Sequence, residues 1–253
     1  MPPRLRRLVL VLLLPLVLAA PAVAQTFTDA QRSEIVDILR QALRQDPSIL
    51  RDALGALQED ETRARGAAQR AAIARHADAL FRDAADPVRG NPRGDVTIVE
   101  FFDARCGFCK QLHPSLEALI RRDPNVRIVM KDLPVLGPAS TQAARALLAA
   151  QRQGRYAALQ DALLTLRGEP TEAVLRQSAE RVGLDWARLR REMEEPAIAR
   201  RIEANLRLAQ SLGIEGTPAL VIAGQGRDGG TLVPGAVDLP TLERLVAEAR
   251  AGR

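Results

Sequence analysis

The sequence predicts an α/β domain with helices on both faces of one sheet, preceded by an all-helical extension. Three observations carry this. Two short apolar runs rich in Val, Ile and Phe, Val96–Phe102 and residues 126–130, flank a helical pattern, as strand–helix–strand units do. Two more short runs, residues 219–223 and 231–233, precede a last helical pattern after Pro240. Between the two pairs, residues 137–210 read as helix, broken near Gly154, Gly168-Glu-Pro170, Gly183 and Pro196. Strand–helix–strand, a helical block and strand–strand–helix can share one core only if the helices cover the sheet.

The first residues set the environment of everything that follows. Arg4, Arg6 and Arg7 precede an apolar run at residues 8–20, and Ala22-Val23-Ala24 offers a small-residue cleavage site. This is the three-part pattern of a secretory signal peptide, so residues 1–24 are expected to be cleaved after Ala24 during export. The run has 13 residues where a spanning helix needs ~20, and Pro15 and Pro21 interrupt it. No later segment is apolar for long enough, so the mature chain is expected to be soluble, with no membrane span. Losing three arginines lowers the formal net charge from +5 to +2. Lys and Arg are scattered among Asp and Glu with few aromatics, so no nucleic-acid partner is expected.

Residues 25–84 read as helix. Thr28-x-x-Gln31 is a capping-box pattern, with Ile35, Ile38, Leu39, Ala42 and Leu43 following at helical spacing. Asp46 and Pro47 can start a second helix, with Ile49, Leu50, Ala53, Leu54 and Leu57 on one face. From Glu59 to Ala79 the chain is alanine-rich and charged, with little apolar stripe. The first two apolar faces are too large for so small a unit to hide. They either pack back on the α/β domain or meet copies of themselves in an oligomerising stalk, and the second reading is preferred. Residues 85–253 make the α/β domain, with a helical insertion at about 137–212. It opens on a breaker-rich connection of Pro87, Gly90, Asn91, Pro92 and Gly94.

Both cysteines of the chain lie in Cys106-Gly-Phe-Cys109, between the first strand and its helix. A disulfide there closes so short a loop that it removes little unfolded-state entropy, which argues against a structural staple. Cys106, Cys109 and His113 share one helical side, but a closed zinc site needs more ligands than these three, and the other histidine, His76, is distant. No resident metal is expected, although a reduced dithiol can bind a soft ion transiently. A redox couple fits best. Cys106 at a helix N-terminus meets unpaired N–H groups and the helix dipole, which favour negative charge on sulfur. Cys106 is therefore expected to be the exposed nucleophile. Cys109, one turn on, is expected to be the more buried resolving thiol.

Phe101-Phe-Asp-Ala-Arg-Cys-Gly-Phe-Cys-Lys110 resembles the active site of DsbA-like proteins of the bacterial periplasm. The resemblance continues through Lys131-Asp-Leu-Pro-Val-Leu-Gly-Pro138, Gly213-Ile-Glu-Gly-Thr-Pro218 and the last helix, covering residues 86–250. Within that family it is similar to the suppressor-of-copper-sensitivity (ScsC) branch, whose members carry an N-terminal helical extension and in some cases trimerise through it. The resemblance implies a thioredoxin-like fold with a helical insertion. It implies that the Thr217–Pro218 bond is cis and that this loop faces the cysteines, binding substrate together with Gly107 and Phe108. It implies that Glu100, six positions before Cys106, is the acid beneath the disulfide. In a buried strand such an acid has a raised pKa and exchanges a proton with Cys109. Lys131 is the candidate charge partner of Glu100. Pro114 matches a helix-kinking proline.

Strong oxidases of this family place Pro-His between the cysteines. Gly107-Phe108 offers no imidazole, so the disulfide is expected to be less oxidising. The expected activity is thiol–disulfide exchange on misfolded or cysteine-containing exported proteins, as an isomerase or reductase, with no cofactor beyond a Cys106–Cys109 disulfide. The expected partners are a membrane redox protein and further copies of the chain, a trimer being favoured, assembled through residues 25–80. A dithiol oxidase and a copper- or zinc-binding or chaperone module are the alternatives.

Overall fold

Val96-Thr-Ile-Val-Glu-Phe-Phe alternates its side chains across two faces that are both covered, which is why the run reads as continuously apolar. It forms β2 (Val96–Phe102) at the centre of a five-stranded sheet of order β1-β3-β2-β4-β5. β3 (Val126–Asp132) runs parallel to β2, with Glu100 opposite Met130 and Phe102 opposite Asp132. β4 (Ala219–Gly224) and β5 (Thr231–Pro234) follow antiparallel. The chain is described here by a computed structural model that covers residues 27–226 and 229–252. The expected signal peptide, residues 1–24, lies outside them.

The parallel pair β2 and β3 needs a crossover, supplied by α3 (Gly107–Arg122). Leu112, Leu116 and Leu119 of α3 bury against Ile98, Ile128 and Met130 on one sheet face. The helical insertion comprises α4 (Pro138–Arg152), α5 (Tyr156–Leu164), α6 (Glu172–Arg181), α7 (Trp186–Met193) and α8 (Pro196–Ser211). Its breaks fall where glycine and proline predicted them: Gly154, Gly168 and Gly183 take positive φ, and Pro196 opens α8. α9 (Leu239–Ala251), capped by Asp238, adds Leu242 and Val246 to the same core.

The described chain divides into two compact units, one ending at Glu59 and the other beginning at Asp60. In the first, α1 (Asp29–Gln45) starts with the expected Thr28–Gln31 capping box. Asp46 accepts the Ser48 N–H (3.0 Å) at the start of α2 (Ser48–Arg75). The boundary within α2 departs from the sequence reading, which carried the extension to residue 84. Ala72, Ile73 and Leu80 are buried with Val99, Phe101, Val129 and Leu133 on the second sheet face, together with Leu208 and Leu212. The alanines hid this: small residues pack closely without making an apolar stripe. A short π-helix, Asp78–Arg82, follows α2.

The breaker-rich connection also holds a strand the sequence did not reveal. β1 (Val88–Gly90) pairs antiparallel with the edge of β3. A Cβ on Gly94 would run into the Asn125 carbonyl, and one on Gly90 would meet the Val126 carbonyl at 2.5 Å. These glycines serve close backbone approach as well as turning.

Candidate active site

β2 ends at Phe102, and the next four residues turn the chain into α3. Asp103 builds the turn. Its Oδ1 accepts the Arg105 N–H (2.8 Å), while its Oδ2 accepts the N–H groups of Val135 (3.0 Å) and Leu136 (3.1 Å). One buried carboxylate therefore ties the cysteine loop to the loop after β3. Arg105 adds a second tie, donating to the Leu136 carbonyl and pairing with Glu169. Asp103 and Arg105 escaped the sequence reading. The signal was present, since Asp directly after a strand is a common turn former.

Cys106 is the N-cap of α3, with no side-chain cap of its own. Both cysteines are thiols in the structure. Cys106 is 7% exposed and Cys109 fully buried, so the expected order holds, although Cys106 shows less surface than "exposed" suggested. Phe108, between them, is 64% exposed. With Val135 and Leu136 it supplies three of the four exposed large apolar side chains of the second unit.

Across from the cysteines, the Thr217–Pro218 bond is cis. The Thr217 carbonyl accepts from Cys106 Sγ at 3.2 Å, so this loop and the first thiol are in contact although 111 positions separate them. A groove of about 300 Å³ runs along the loop, lined by residues 213–219 with Leu232, Pro234 and Gly235.

Beneath the thiols lies Glu100. It is buried, and its Oε1 has no hydrogen-bond partner. Burial raises its pKa to about 8; Arg89 opposes the shift and Asp132 adds to it. Burial likewise pushes the Cys109 thiol up, with lesser contributions from Glu100 and Cys106. An acid and a thiol, both driven toward their neutral forms, thus sit within electrostatic reach of each other.

Lys131 is not the partner of Glu100, which corrects the sequence reading. In the register Lys131 lies opposite Phe101, so its side chain leaves the other face of the sheet. There Nζ donates to Asp86 Oδ2 (2.5 Å) and to the Ala79 carbonyl (2.7 Å). The side chain on the Glu100 face is its neighbour Asp132, whose Oδ2 accepts the Tyr156 hydroxyl at 2.9 Å. Burial raises Asp132 to about 7, against the pull of that hydroxyl.

His113 is engaged away from the cysteine pair. Its Nε2 lies 3.1 Å from Asp161, which also pairs with Arg89 (2.8 Å). His113, Glu117 and Asp161 are the group of metal-capable side chains found among the described residues. The Arg89 guanidinium, 2.6 Å from Glu117, pairs with both carboxylates. Pro114 lies inside α3, where it has no N–H to give the preceding turn.

Comparison with known proteins agrees with this geometry. The chain is 43% identical to a thioredoxin-like oxidoreductase from Silicibacter pomeroyi, over 70% of this chain and 98% of that one, with a TM-score of 0.65. A linker-deletion mutant of ScsC from Proteus mirabilis matches at 29% identity over 91% of this chain and 100% of its own, with a TM-score of 0.66. Among curated sequences, the chain is 32% identical over 169 residues to a Na(+)/H(+) antiporter, NhaA 1, of Salinispora arenicola. That match covers 66% of this chain and 25% of the antiporter, so the chain spans about a quarter of the length of that relative. Among the described residues no helix is long and apolar enough to cross a membrane. The family described as DSBA-like thioredoxin domain matches residues 97–247, which hold both cysteines, Glu100 and the cis-proline loop, and the chain belongs to that family.

Proposed function

We propose that this chain carries out thiol–disulfide exchange on exported proteins in the bacterial periplasm, as an isomerase or reductase. The observation that carries the proposal is the contact of Cys106 Sγ with the Thr217 carbonyl, above a buried Cys109. An extended peptide laid along the cis-proline loop would bring its sulfur to Cys106. Attack by the Cys106 thiolate on a substrate disulfide forms a mixed disulfide and releases one substrate thiol. Either a different thiol of the substrate attacks the substrate sulfur of the mixed disulfide, which makes a new bridge and frees Cys106, or Cys109 attacks Cys106 Sγ and frees the substrate reduced. In the second case the Cys109 proton passes to Glu100, and the Cys106–Cys109 disulfide remains.

Two features favour reshuffling over oxidation. Gly107-Phe108 gives the disulfide no imidazole neighbour. The first unit also offers a surface for assembly: ten of the fourteen exposed large apolar side chains among the described residues lie at positions 27–57. Fully burying each would gain roughly 1.5–3 kcal/mol. They are about half exposed already, so association would gain ~10 kcal/mol, comparable with the cost of lost rotational and translational freedom. An assembly through this unit, a trimer by resemblance to ScsC, would surround one misbridged substrate with several thiol pairs.

Refolding of scrambled ribonuclease tests the activity. Recovery by the reduced protein and loss of it in Cys106→Ser are expected, and exchange surviving in that variant would sink the mechanism. Rapid oxidation of reduced ribonuclease without reshuffling would mark an oxidase instead. Solution mass with and without residues 25–59 tests assembly, and a monomer in both forms would refute it.

A further inference from the structure

The region below the cysteines holds a second buried acid that exchange as described does not use. Glu100 and Asp132 sit on adjacent parallel strands, on the same sheet face, two positions apart in the register. Diagonal neighbours of this kind lie roughly 7 Å apart. Both residues are 2% exposed. Asp132 has a fixed donor, the hydroxyl of buried Tyr156, whereas Glu100 Oε1 has none. Two carboxylates this close and this dry cannot both ionise readily, so their protons are coupled.

We infer that Asp132, oriented by Tyr156, is a positioning residue for the redox couple: its charge holds the proton on Glu100, making Glu100 a base strong enough to deprotonate Cys109. The inference rests on the exchange reaction proposed above. In resolution, the Cys109 thiol gives its proton to the Glu100 carboxylate, the Cys109 sulfur bonds to Cys106 Sγ, and the departing sulfur leaves as a thiolate. The stronger the base, the more readily a thiol held neutral by burial gives up that proton. In the reverse step, protonated Glu100 returns it.

The surrounding charges set the balance. Arg89, reaching in from β1, lowers the proton affinity of Glu100, but its guanidinium is shared with Glu117 and Asp161. Cys109 faces Glu100 from α3, and Tyr156 faces it from α5. Asp132 is pushed further toward its protonated form by Asp86 and Asp103, while its charge acts in turn on Arg201. The Tyr156 hydroxyl is the group that donates to the Asp132 side chain, so losing it weakens the charge that Asp132 exerts on Glu100.

The test loads Cys106 with thionitrobenzoate and follows its release by Cys109 as a function of pH. In the unaltered protein the rate should rise through a limb centred near pH 8, the value to which Glu100 is raised. Asp132→Asn removes the charge and should move that limb down by about one pH unit. Tyr156→Phe should move it in the same direction by less, and Glu100→Gln should abolish it. Thermal melts identify any variant that fails to fold; the isosteric Tyr156→Phe then carries the test alone. A limb that stays in place or moves up in Tyr156→Phe overturns the inference, as does a limb that survives Glu100→Gln. Either result leaves disulfide exchange itself standing, because only loss of the Cys106 requirement overturns that reading.

Discussion

Glu100 and Lys131 lie one residue out of step on adjacent strands, and they have opposite fates. On the Lys131 face the buried charges find partners. Lys131 meets Asp86 at 2.5 Å, and Arg201 lies 3.5 Å from the other oxygen of Asp86 while also pairing with Asp83. That pairing holds Asp83 down to about 2. On the Glu100 face two acids meet no cation directly, and both are driven toward protonation. A buried charge with a partner fastens structure, because neither member can leave without stranding the other. A buried acid without one takes up and releases a proton at modest cost, which is what thiol chemistry above it requires.

Lys131→Met is the strongest way to break this contrast. It leaves Asp86 with only the 3.5 Å approach of Arg201 and should cost about 3 kcal/mol of stability in urea unfolding, with disulfide exchange changed less than about threefold. A large loss of exchange in the folded variant would mean that the two faces are not independent.

Glu100→Gln should do the reverse. The folded pKa of Glu100, about 8, lies above its ordinary 4.5, so its contribution to stability is complete below pH 4.5 and lost as pH rises through 8. Asp132, raised from 3.8 to about 7, acts in the same sense. The reduced protein should therefore unfold more easily at pH 8.5 than at pH 5, in about the window those shifts define. Glu100→Gln should remove about 4 kcal/mol of that difference, by the ~1.4 kcal/mol carried by each pH unit. An unchanged slope would show that Glu100 is ionised at neutral pH.

The smallest stability effect is expected at Phe108, whose side chain is mostly in solvent. Phe108→Ala should shift stability by less than about 0.5 kcal/mol. It should nevertheless raise KM for a peptide disulfide severalfold, as steady-state insulin reduction can show. An unchanged KM would remove Phe108 from the substrate surface.

The sheet was legible in the sequence because its central strands β2, β3 and β4 are largely buried apolar runs, and Val96–Phe102 was read to the residue. β1 was not, because three residues that follow a proline and end on a glycine carry no period. Ile73 and Leu80 were missed for a related reason: their neighbours are alanines, which pack without leaving an apolar stripe. At the site, Cys106, Cys109 and the Thr217–Pro218 loop were marked by motif. The partner of Glu100 was not, since a shift of one register position decides whether Lys131 or Asp132 faces it. Sequence distance says nothing about that parity, nor about Tyr156 reaching across from α5.

Tyr156 is the single tyrosine among 253 residues. Its ring therefore gives the protein a magnetic label of single origin. One fluorotyrosine resonance reports the charge on the aspartate it touches, in the resting thiol state and in each disulfide that follows.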